Sequence, residues 1–575
     1  MLYYRNLIDA LDAAPDDRPF VTFWIDEDEQ ETVTFSEFRR RARLQSGVLK
    51  AQGVKVDDRV IVIMPQGIAA MTVFAGAMML GAAPALLAYP NDKVDPSKYR
   101  SGLAGVTANL NPKLVVIDNK FPDDLLGHVS LNEKIKLLRA GDGSASDEGR
   151  EEVPPIRSQD PNRDSRGQAD QIAFIQHSAG TTGLQKGVAL THAAVLRQLQ
   201  HLAQALEIDG ATDLIYSWLP LYHDMGLIAC FMLPLACHVP VVMQSPIDWV
   251  MQPETMLQVI TEHKCTLAWL PNFAFQFVPR RTRPNRRAQY DLASVRALIN
   301  CSEPVRSSSM QEFQSAFAPN GLRAGALQSS YAMAENVFAV TQSDINRPGG
   351  PPRICADGGQ FRSSHRIIPV AESVPGSVSF TSSGRLLPNH EIRIVSDSGA
   401  VLADSHVGEI LVKSDCLFEG YYNRPDLTAK AIADGWYRTA DLGFITDGDV
   451  YVVGRKKDLI IVGGENIYPQ DIEEIAASHA AIHDGRAIAI GVYNPDLGTE
   501  EILVVAEMES EALLGNAAEI EREIRAQIVA GVGVAPAMIF LKPPKWIVKS
   551  TAGKAARSAT LEKLQKEHPE FSFES

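Results

Sequence analysis

The sequence predicts an α/β protein with a large N-terminal domain of parallel-rich sheets covered by helices and a small antiparallel subdomain, followed by an α+β C-terminal domain. The chain has 575 residues, well beyond the ~250–300 at which a single core stops growing, so at least two domains are expected. Apolar strand-like runs alternate with helical patterns at residues 59–64, 68–80, 113–118 and 171–176. This alternation indicates βαβ units and a largely parallel sheet.

The second half of the chain changes character. Short alternating runs at residues 391–395, 408–412 and 450–453, separated by polar turns, predict the small antiparallel subdomain. From residue 457 onward, the pattern predicts strands at 459–462, 486–492 and 502–508 and helices at 469–477 and 517–529. We therefore expect domains at 1–456 and 457–575, joined at a charged run.

Two polar stretches interrupt these patterns. Residues 141–167 have little apolar periodicity and are expected to form a surface excursion. Residues 342–376 are rich in Gly, Pro and Ser, and a connection longer than ~12–15 residues is usually functional or disordered.

Composition narrows the class of protein. The net charge of −15 argues against a nucleic-acid binder. The six cysteines lack CxxC spacing, which favours buried reduced thiols over a zinc site or a disulfide framework. No secretory signal is evident, so a cytoplasmic location is expected. Residues 68–89 are uncharged and long enough to span a membrane, but Gly81 and Pro84 favour a buried helix followed by a buried strand.

The loop at residues 178–187 is the most informative segment. It reads Ser-Ala-Gly-Thr-Thr-Gly-Leu-Gln-Lys-Gly, between an apolar strand at 171–176 and a helix expected near Thr191. Glycine lets backbone N–H groups approach an anion, threonine hydroxyls donate hydrogen bonds, and Lys186 supplies charge. Residues on both sides of the lysine differ from a Walker A motif. The pattern predicts a polyphosphate-binding loop, with an ordinary turn as the alternative.

Four further clusters suit the handling of a nucleotide. His223 follows Tyr222 in a probable loop, where it could line a pocket or merely cap the next helix. Glu335 could hold Mg²⁺, which prefers oxygen ligands, or be a solvated helix residue. Asp441, expected in a tight turn, could bind ribose hydroxyls or act as a cap. Lys554 lies in a small loop and could reach a phosphate or remain a surface lysine.

In this order and combination, the clusters resemble the adenylate-forming superfamily, which includes acyl-CoA synthetases, nonribosomal adenylation domains and luciferases. The resemblance spans nearly the whole chain. It implies an enzyme in which a substrate carboxylate attacks the α-phosphorus of ATP, releasing pyrophosphate and forming an acyl-adenylate, whose acyl group a thiol then takes. Catalysis is then charge neutralisation and alignment. The resemblance also implies a mobile C-terminal domain that swings about Lys457.

The resemblance assigns expected roles to individual residues. Thr181, Thr182 and Lys186 would hold the phosphates beside Gly183, while Glu335, together with Thr182, would coordinate Mg²⁺. His223 would border the acyl carboxylate, and Lys554 would bridge that carboxylate and the phosphate. The residues expected around the nucleoside are Tyr331 and Ala332 at adenine, Ser302, Glu303 and Pro304 beside them, and Asp441 and Arg455 at the ribose.

Within the superfamily the chain is most similar to the fatty acyl-AMP ligases, which pass the acyl group to an acyl carrier protein. Residues 217–227, 302–306, 331–335 and 468–473 carry this likeness, and residues 342–376 stand where those ligases have a segment that restrains the C-terminal domain. The substrate would be a fatty or other hydrophobic acid, with ATP and Mg²⁺ as cofactors. Trp218, Met225 and Phe273 are candidate pocket walls.

Departures from the family pattern leave two alternatives open. Residues 463–466 look more like those of the ligases that use free coenzyme A, which makes an acyl- or aryl-CoA synthetase the second hypothesis. Ala179, Gln185 and Ala332 replace the more usual serine, proline and glycine. These changes make a catalytically silent nucleotide-binding regulator a third hypothesis.

Overall fold

The computed structural model describes residues 3–90, 96–129, 135–140, 169–177, 186–463, 465–494, 497–549 and 555–568. Helices cover sheets that are mostly parallel in the first half of the chain, as the sequence predicts. The surface excursion expected at residues 141–167 and most of the loop at 178–187 lie outside the described residues.

A nine-stranded sheet forms the centre of the N-terminal part. The five pairings between Leu327–Ala332 on one side and Pro19–Trp24 on the other are parallel, and the strands at both edges are antiparallel. In spatial order the strands are Arg385–Leu386, Ala339–Gln342, Leu327–Ala332, Ala297–Asn300, Leu267–Leu270, Ile215–Ser217, Val241–Gln244, Pro19–Trp24 and Gln30–Thr34.

A four-stranded sheet contains the first predicted βαβ unit. Its strands, in the spatial order Ala83–Leu86, Arg59–Ile63, Leu114–Asp118 and Lys136–Ala140, are all parallel. The uncharged segment forms the helix Ile68–Met79, buried on nearly all sides, and then a buried strand. Over the described residues, the helices all fall short of the length and apolarity needed to cross a bilayer.

The glycine-threonine loop connects two strands, which corrects the predicted strand-to-helix connection. Gly187–Thr191 pairs antiparallel with Ile172–His177 on one side and with Gly420–Tyr421 on the other. The predicted helix follows directly as His192–Ala205, and the Thr191 side chain accepts a hydrogen bond from the main chain at its N-terminus. The loop is therefore the connection of a β-hairpin.

The predicted antiparallel subdomain is present. Its sheet has the order His390–Val395, Gly408–Ser414, Trp436–Thr446 and Ile432–Ala433, and Asp449–Arg455 also pairs with Trp436–Thr446. The polar stretch at 342–376 contains structure of its own: the strand Arg353–Asp357, which pairs with Ser377–Thr381, and the helix Gly358–Ser364.

The C-terminal part has α+β structure with its own cores. A hairpin of Ile460–Val462 and Glu465–Ile467 leads to a three-stranded sheet of Ile482–Asn494, Thr499–Met508 and Met538–Lys542. The helices are Pro469–Ala477, Ala517–Val532 and Arg557–Glu567. Two apolar clusters lie within this part, one of which contains Ile524 and Val504 and the other Trp546 and Leu564. The predicted helix at 469–477 matches the observed one. The predicted strand at 459–462 is one residue longer than Ile460–Val462, whereas the predictions at 486–492 and 502–508 are shorter than Ile482–Asn494 and Thr499–Met508.

The remaining helices lie over the N-terminal sheets, where most of them contribute to one large core and Pro96–Leu110 packs into a second, smaller cluster. The α-helices are Leu7–Asp12, Phe35–Ala51, Pro96–Leu110, Leu233–Cys237, Pro246–Met251, Thr255–His263, Ala274–Arg281, Pro284–Arg287, Ser307–Phe317 and Pro425–Ala431. A π-helix spans Met225–Met232, and 3₁₀ turns span Asp123–His128, Ala318–Asn320, Ala324–Ala326, Ala334–Asn336, Lys456–Asp458 and Glu511–Asn516.

Candidate active site

Three residues predicted to bind the nucleoside meet in one network, in which Tyr331 and Asp441 are buried and the Arg455 side chain is 57% exposed. The Tyr331 hydroxyl donates a hydrogen bond to Asp441 Oδ2 at 2.6 Å, and Arg455 Nε lies 3.2 Å from Asp441 Oδ1. Tyr331 is 8% exposed and Asp441 is 9% exposed. Burial, and then the neighbouring carboxylate, raise the pKa of Tyr331 well above its ordinary value. The tyrosine is therefore a permanent donor to the carboxylate at neutral pH.

Asp441 lies in a strand, which corrects the predicted tight turn. The strand Trp436–Thr446 pairs on both sides, and Ala440 interrupts its regular geometry with a φ of 58°. The Asp441 N–H donates to Thr439 Oγ1 at 3.0 Å, inside the irregular segment. The carboxylate is therefore directed by a local bulge, because bulges re-aim side chains beside functional sites.

A second network surrounds Glu335, which lies in the short 3₁₀ turn Ala334–Asn336 after the strand of Tyr331. The Tyr421 hydroxyl donates to Glu335 Oε1 at 2.7 Å, and Lys186 Nζ lies 4.6 Å from the centre of the same aromatic ring. One tyrosine therefore connects the lysine that ends the glycine-threonine loop with the carboxylate predicted to hold Mg²⁺. Carboxylate oxygens are the ligands that Mg²⁺ prefers, so Glu335 fits that ion.

The two networks adjoin each other. Tyr437 Oη lies 3.4 Å from the Tyr421 hydroxyl, and its strand also carries Asp441. The charge of Asp441 is the largest cause that raises the pKa of Arg455, and Glu335 acts in the same direction. The predicted ribose, adenine, magnesium and phosphate residues thus share one electrostatic environment.

His223 lies in a loop between the strand Ile215–Ser217 and the π-helix Met225–Met232, as predicted. Its Nδ1 is 2.6 Å from Asp224 Oδ1 and 3.4 Å from the Met225 N–H. The helix is capped by the Asp224 side chain, which accepts from that same N–H at 2.8 Å. Asp224 rather than His223 therefore makes the shorter hydrogen bond to the N-terminus of this helix.

The loop at residues 302–304 lies beside the His223 loop. Ser302 has a φ of 70°, and its Oγ is 3.8 Å from Met225 Sδ. Glu303 Oε2 accepts a hydrogen bond from the Phe273 N–H at 3.0 Å, while Pro304 is exposed. Because Ala297–Asn300 and Leu327–Ala332 are neighbouring parallel strands, the loop leaves the same edge of the sheet as Tyr331. Ala332, half-buried, ends that strand at a register shift.

An aromatic cluster borders this loop. The rings of Trp218 and Trp249 stack at 3.6 Å, and Phe273 meets both edge-on at 6.2 and 6.1 Å. Both tryptophans are buried, whereas Phe273 is 40% exposed. Of the predicted pocket walls, Trp218 and Phe273 share one apolar surface, and Met225 lies next to Ser302.

The C-terminal part contacts the N-terminal part close to this site. Arg306 Nη2 donates to the Gln470 carbonyl oxygen at 2.9 Å, and its other terminal nitrogen pairs with Glu474. Gln470 also donates to the carbonyl oxygen of Val453, two residues before Arg455. The first turn of the helix Pro469–Ala477 therefore touches both the adenine-side loop and the strand that ends at Arg455.

Four predicted site residues, Thr181, Thr182, Gly183 and Lys554, lie outside the described residues. Lys549 forms a bridge with Ala555, so the described ends of the Lys554 loop are close together. The sequence did not single out Tyr421, Tyr437, Thr439 or Trp249. The sequence signal for Tyr421 was the pair of tyrosines that follows Gly420, and such a pair is equally typical of core packing.

Comparisons with known proteins bear on the family to which the chain belongs. The model of the AMP-binding enzyme family matches residues 9–422. The chain is 29% identical over 562 residues to the long-chain-fatty-acid–AMP ligase FadD28 of Mycobacterium tuberculosis, covering 93% of this chain and 92% of the relative. It is 28% identical over 547 residues to the medium-chain-fatty-acid–[acyl-carrier-protein] ligase JamA of Moorena producens, covering 93% and 90%.

Two solved structures share the fold. A fatty acyl-adenylate ligase from work on the E. coli and L. pneumophila enzymes is 26% identical, with a TM-score of 0.86 and 99% of both chains covered. The McyG adenylation and carrier-domain structure with phenylalanyl-adenylate, at 20% identity and a TM-score of 0.82, covers 99% of this chain and 84% of that one. The family match, over more than two thirds of the sequence, agrees with the resemblance found in the motifs: the chain belongs to the AMP-binding enzyme family.

Proposed function

We propose that this chain is a fatty acyl-AMP ligase, which activates a fatty or other hydrophobic carboxylic acid with ATP and passes the acyl group to the phosphopantetheine thiol of a carrier protein. The observation that carries the proposal is the meeting of Tyr331, Asp441 and Arg455 beside Glu335 and Lys186. These groups, which lie in or beside three different sheets, would supply ribose acceptors, an aromatic face, a hard metal ligand and a phosphate-binding cation in two adjoining networks. The printed names of FadD28 and JamA support the same activity.

In the proposed first step, a carboxylate oxygen of the acid bonds to the α-phosphorus and the bond to the pyrophosphate oxygen breaks. Asp441 and Tyr331 hold the nucleoside, Lys186 and the loop threonines Thr181 and Thr182 hold the phosphates, and Lys554 spans the reacting groups. Alignment of the reacting groups supplies most of the rate because the substrate carboxylate is itself the nucleophile. Mg²⁺, held by Glu335 and Thr182, would neutralise phosphate charge when bound.

The acid would enter beside His223 and lie along the aromatic surface of Trp218 and Phe273. An apolar wall with few polar groups suits a hydrophobic tail. His223 would border the carboxylate, oriented by its contact with Asp224. In the second step the carrier thiol attacks the acyl carbonyl and AMP leaves.

Contacts of the polar stretch at 342–376 support a carrier-protein acceptor. Phe361 stacks on Tyr468 with ring centres 4.7 Å apart, and His365 Nε2 lies 2.8 Å from Asn466 Nδ2. Both partners precede the helix Pro469–Ala477 in the proposed mobile domain, whose hinge we place at Lys457. A segment that contacts this domain at two points would hinder the movement of the domain that the use of free coenzyme A requires.

Pyrophosphate release across acids of increasing chain length, with and without each acceptor, tests the proposal. We expect acid-dependent release, stable acyl-AMP with coenzyme A alone, and acyl transfer to a phosphopantetheinylated carrier protein. Rapid acyl-CoA formation without carrier loading would instead establish the acyl- or aryl-CoA synthetase that residues 463–466 suggest. Absence of any carboxylate-dependent pyrophosphate exchange would refute both.

A further inference from the structure

A cluster of three metal-ligating side chains lies outside the nucleotide site. His201 belongs to the helix His192–Ala205, and Asp415 and Cys416 follow the strand Gly408–Ser414. His201 Nε2 is 3.1 Å from Asp415 Oδ1, and Cys416 Sγ is 3.3 Å from the same oxygen. The ligand atoms all lie within 4.8 Å of one another. His201 is 6% exposed and Cys416 is fully buried.

The donors suit a transition metal. Imidazole and thiolate favour Zn²⁺ over Mg²⁺, and zinc bonds of about 2.0 Å to nitrogen or oxygen and 2.3 Å to sulfur set donor separations of roughly 3.3–3.5 Å in a tetrahedral site. The observed separations of 3.1 and 3.3 Å are close to these values. We propose that His201, Asp415 and Cys416 bind a Zn²⁺ ion at a site separate from the Mg²⁺ site.

A neighbouring amide orients the Asp415 carboxylate. Asn389 Nδ2 donates to Asp415 Oδ2 at 3.0 Å, so the other oxygen faces the histidine and the thiol. His201 Nδ1 is buried and makes no hydrogen bond with the described atoms, so the polar contact of this ring runs through Nε2 alone. A group that hydrogen-bonds to a metal ligand, as Asn389 does to Asp415, fixes the orientation of that ligand and raises metal affinity.

The nearby His390 does not complete the site. Its Nε2 accepts from Asn336 Nδ2 at 2.9 Å, and its Nδ1 donates to the Pro388 carbonyl oxygen at 2.8 Å. Both ring nitrogens are thus engaged, which leaves a fourth coordination position for water.

Binding of the ion balances charge and protons. The Cys416 thiol loses its proton to solvent and its sulfur bonds to the metal, while Asp415 binds as a carboxylate and His201 as neutral imidazole. One divalent cation with one thiolate and one carboxylate is electrically neutral, which suits a buried site.

The ion would brace the turn that carries Glu335. Ser414 Oγ donates to Asn336 Oδ1 at 2.5 Å and accepts from the Cys416 N–H at 3.1 Å. The next residue but one, Phe418, donates its N–H to the Glu335 carbonyl oxygen at 2.9 Å. The metal would thereby fasten the helix after the phosphate loop to the segment that supports Glu335.

Cobalt titration of the chelator-treated full-length protein tests the site. Because Co²⁺ bound to thiolate gives a near-ultraviolet charge-transfer band, we expect that band to saturate at one ion per chain and to fall on addition of Zn²⁺. Cys416→Ser should abolish the band, whereas Cys355→Ser, at a half-buried cysteine outside the cluster, should keep it. Absence of the band from the folded parent protein, or its survival in Cys416→Ser, overturns the proposal.

Asn389→Gly provides a second variant in case Cys416→Ser fails to fold. Glycine accepts the φ of 59° found at this position, so the backbone stays unstrained while the amide is lost. We expect Co²⁺ affinity to fall by about 10- to 100-fold, as for other substitutions of groups that hydrogen-bond to a metal ligand. Unchanged affinity in this variant counts against the site.

Discussion

Replacement of Tyr331 by phenylalanine isolates one hydrogen bond of the nucleotide site. The ring that would face adenine stays, and the hydroxyl that donates to Asp441 at 2.6 Å is lost. A hydrogen bond to a charged group contributes about 1.5–3 kcal/mol. Because Arg455 still contacts the other carboxylate oxygen at 3.2 Å, we take the lower value, which corresponds to a loss of about 10-fold.

We therefore expect the KM for ATP of Tyr331→Phe to rise about 10-fold in a pyrophosphate-release assay, with kcat changing less, since the lost contact positions the ribose acceptor. Tyr216→Phe is the matched control, because Tyr216 is fully buried and donates to Gln244 Oε1 at 2.8 Å. Its KM should match that of the parent protein. An ATP KM within twofold of the parent for Tyr331→Phe would refute the role given to Asp441.

Three more predictions concern the Glu335 contact, a tightly packed glycine and a buried histidine. Tyr421→Phe removes the hydrogen bond to Glu335, so the Mg²⁺ concentration for half-maximal pyrophosphate release should rise about 10-fold; an unchanged Mg²⁺ requirement contradicts this. A Cβ at Gly226 would lie 2.2 Å from a main-chain oxygen of the preceding loop, whereas a Cβ at Gly102 would meet open space. In urea unfolding, Gly226→Ala should therefore lower the free energy of unfolding by about 1–3 kcal/mol, and the control Gly102→Ala should not lower it. Burial lowers the pKa of His192 from 6.5 to about 4, so protonation favours the unfolded chain. In urea unfolding, the parent should lose about 3 kcal/mol more stability between pH 6.5 and 4 than His192→Gln does, because the other buried histidines, such as His177, titrate in both proteins.

The sequence predicts individual strands and helices best where the local pattern decides them. The run at 59–64 was recognisable because a strand that is buried on both faces is continuously apolar. The helix at 469–477 was recognisable because Pro469 is followed by an apolar stripe at helical spacing. The strand Gly187–Thr191 was missed because its five residues read as the approach to a helix. One of its partners, Ile172–His177, is close in sequence, and the other, Gly420–Tyr421, is remote. Pairing of remote strands is not encoded in periodicity.

For the candidate site, too, the sequence indicates the residue types but not their geometry. Motif spacing singled out Tyr331, Glu335 and Asp441 as candidates, and the structure brings them into two adjoining networks. It could not supply the geometry: Asp441 is aimed by a bulge at Ala440, which only the pairing of its strand reveals. Tyr421 was missed because its contacts with Glu335 and Lys186 join three segments that lie far apart in the sequence.

Support of Glu335, the proposed magnesium ligand, is therefore distributed over elements that carry no motif. Glu335 is held at its side chain by Tyr421 and at its main chain by Phe418, both from the segment that leads out of the antiparallel subdomain. The same segment begins at Asp415, whose carboxylate contacts the helix after the phosphate loop. A change in that helix can thus reach Glu335 without touching the nucleotide. Activity lost on substitution at Asp415 would accordingly appear as a raised Mg²⁺ requirement before it appears as weaker ATP binding.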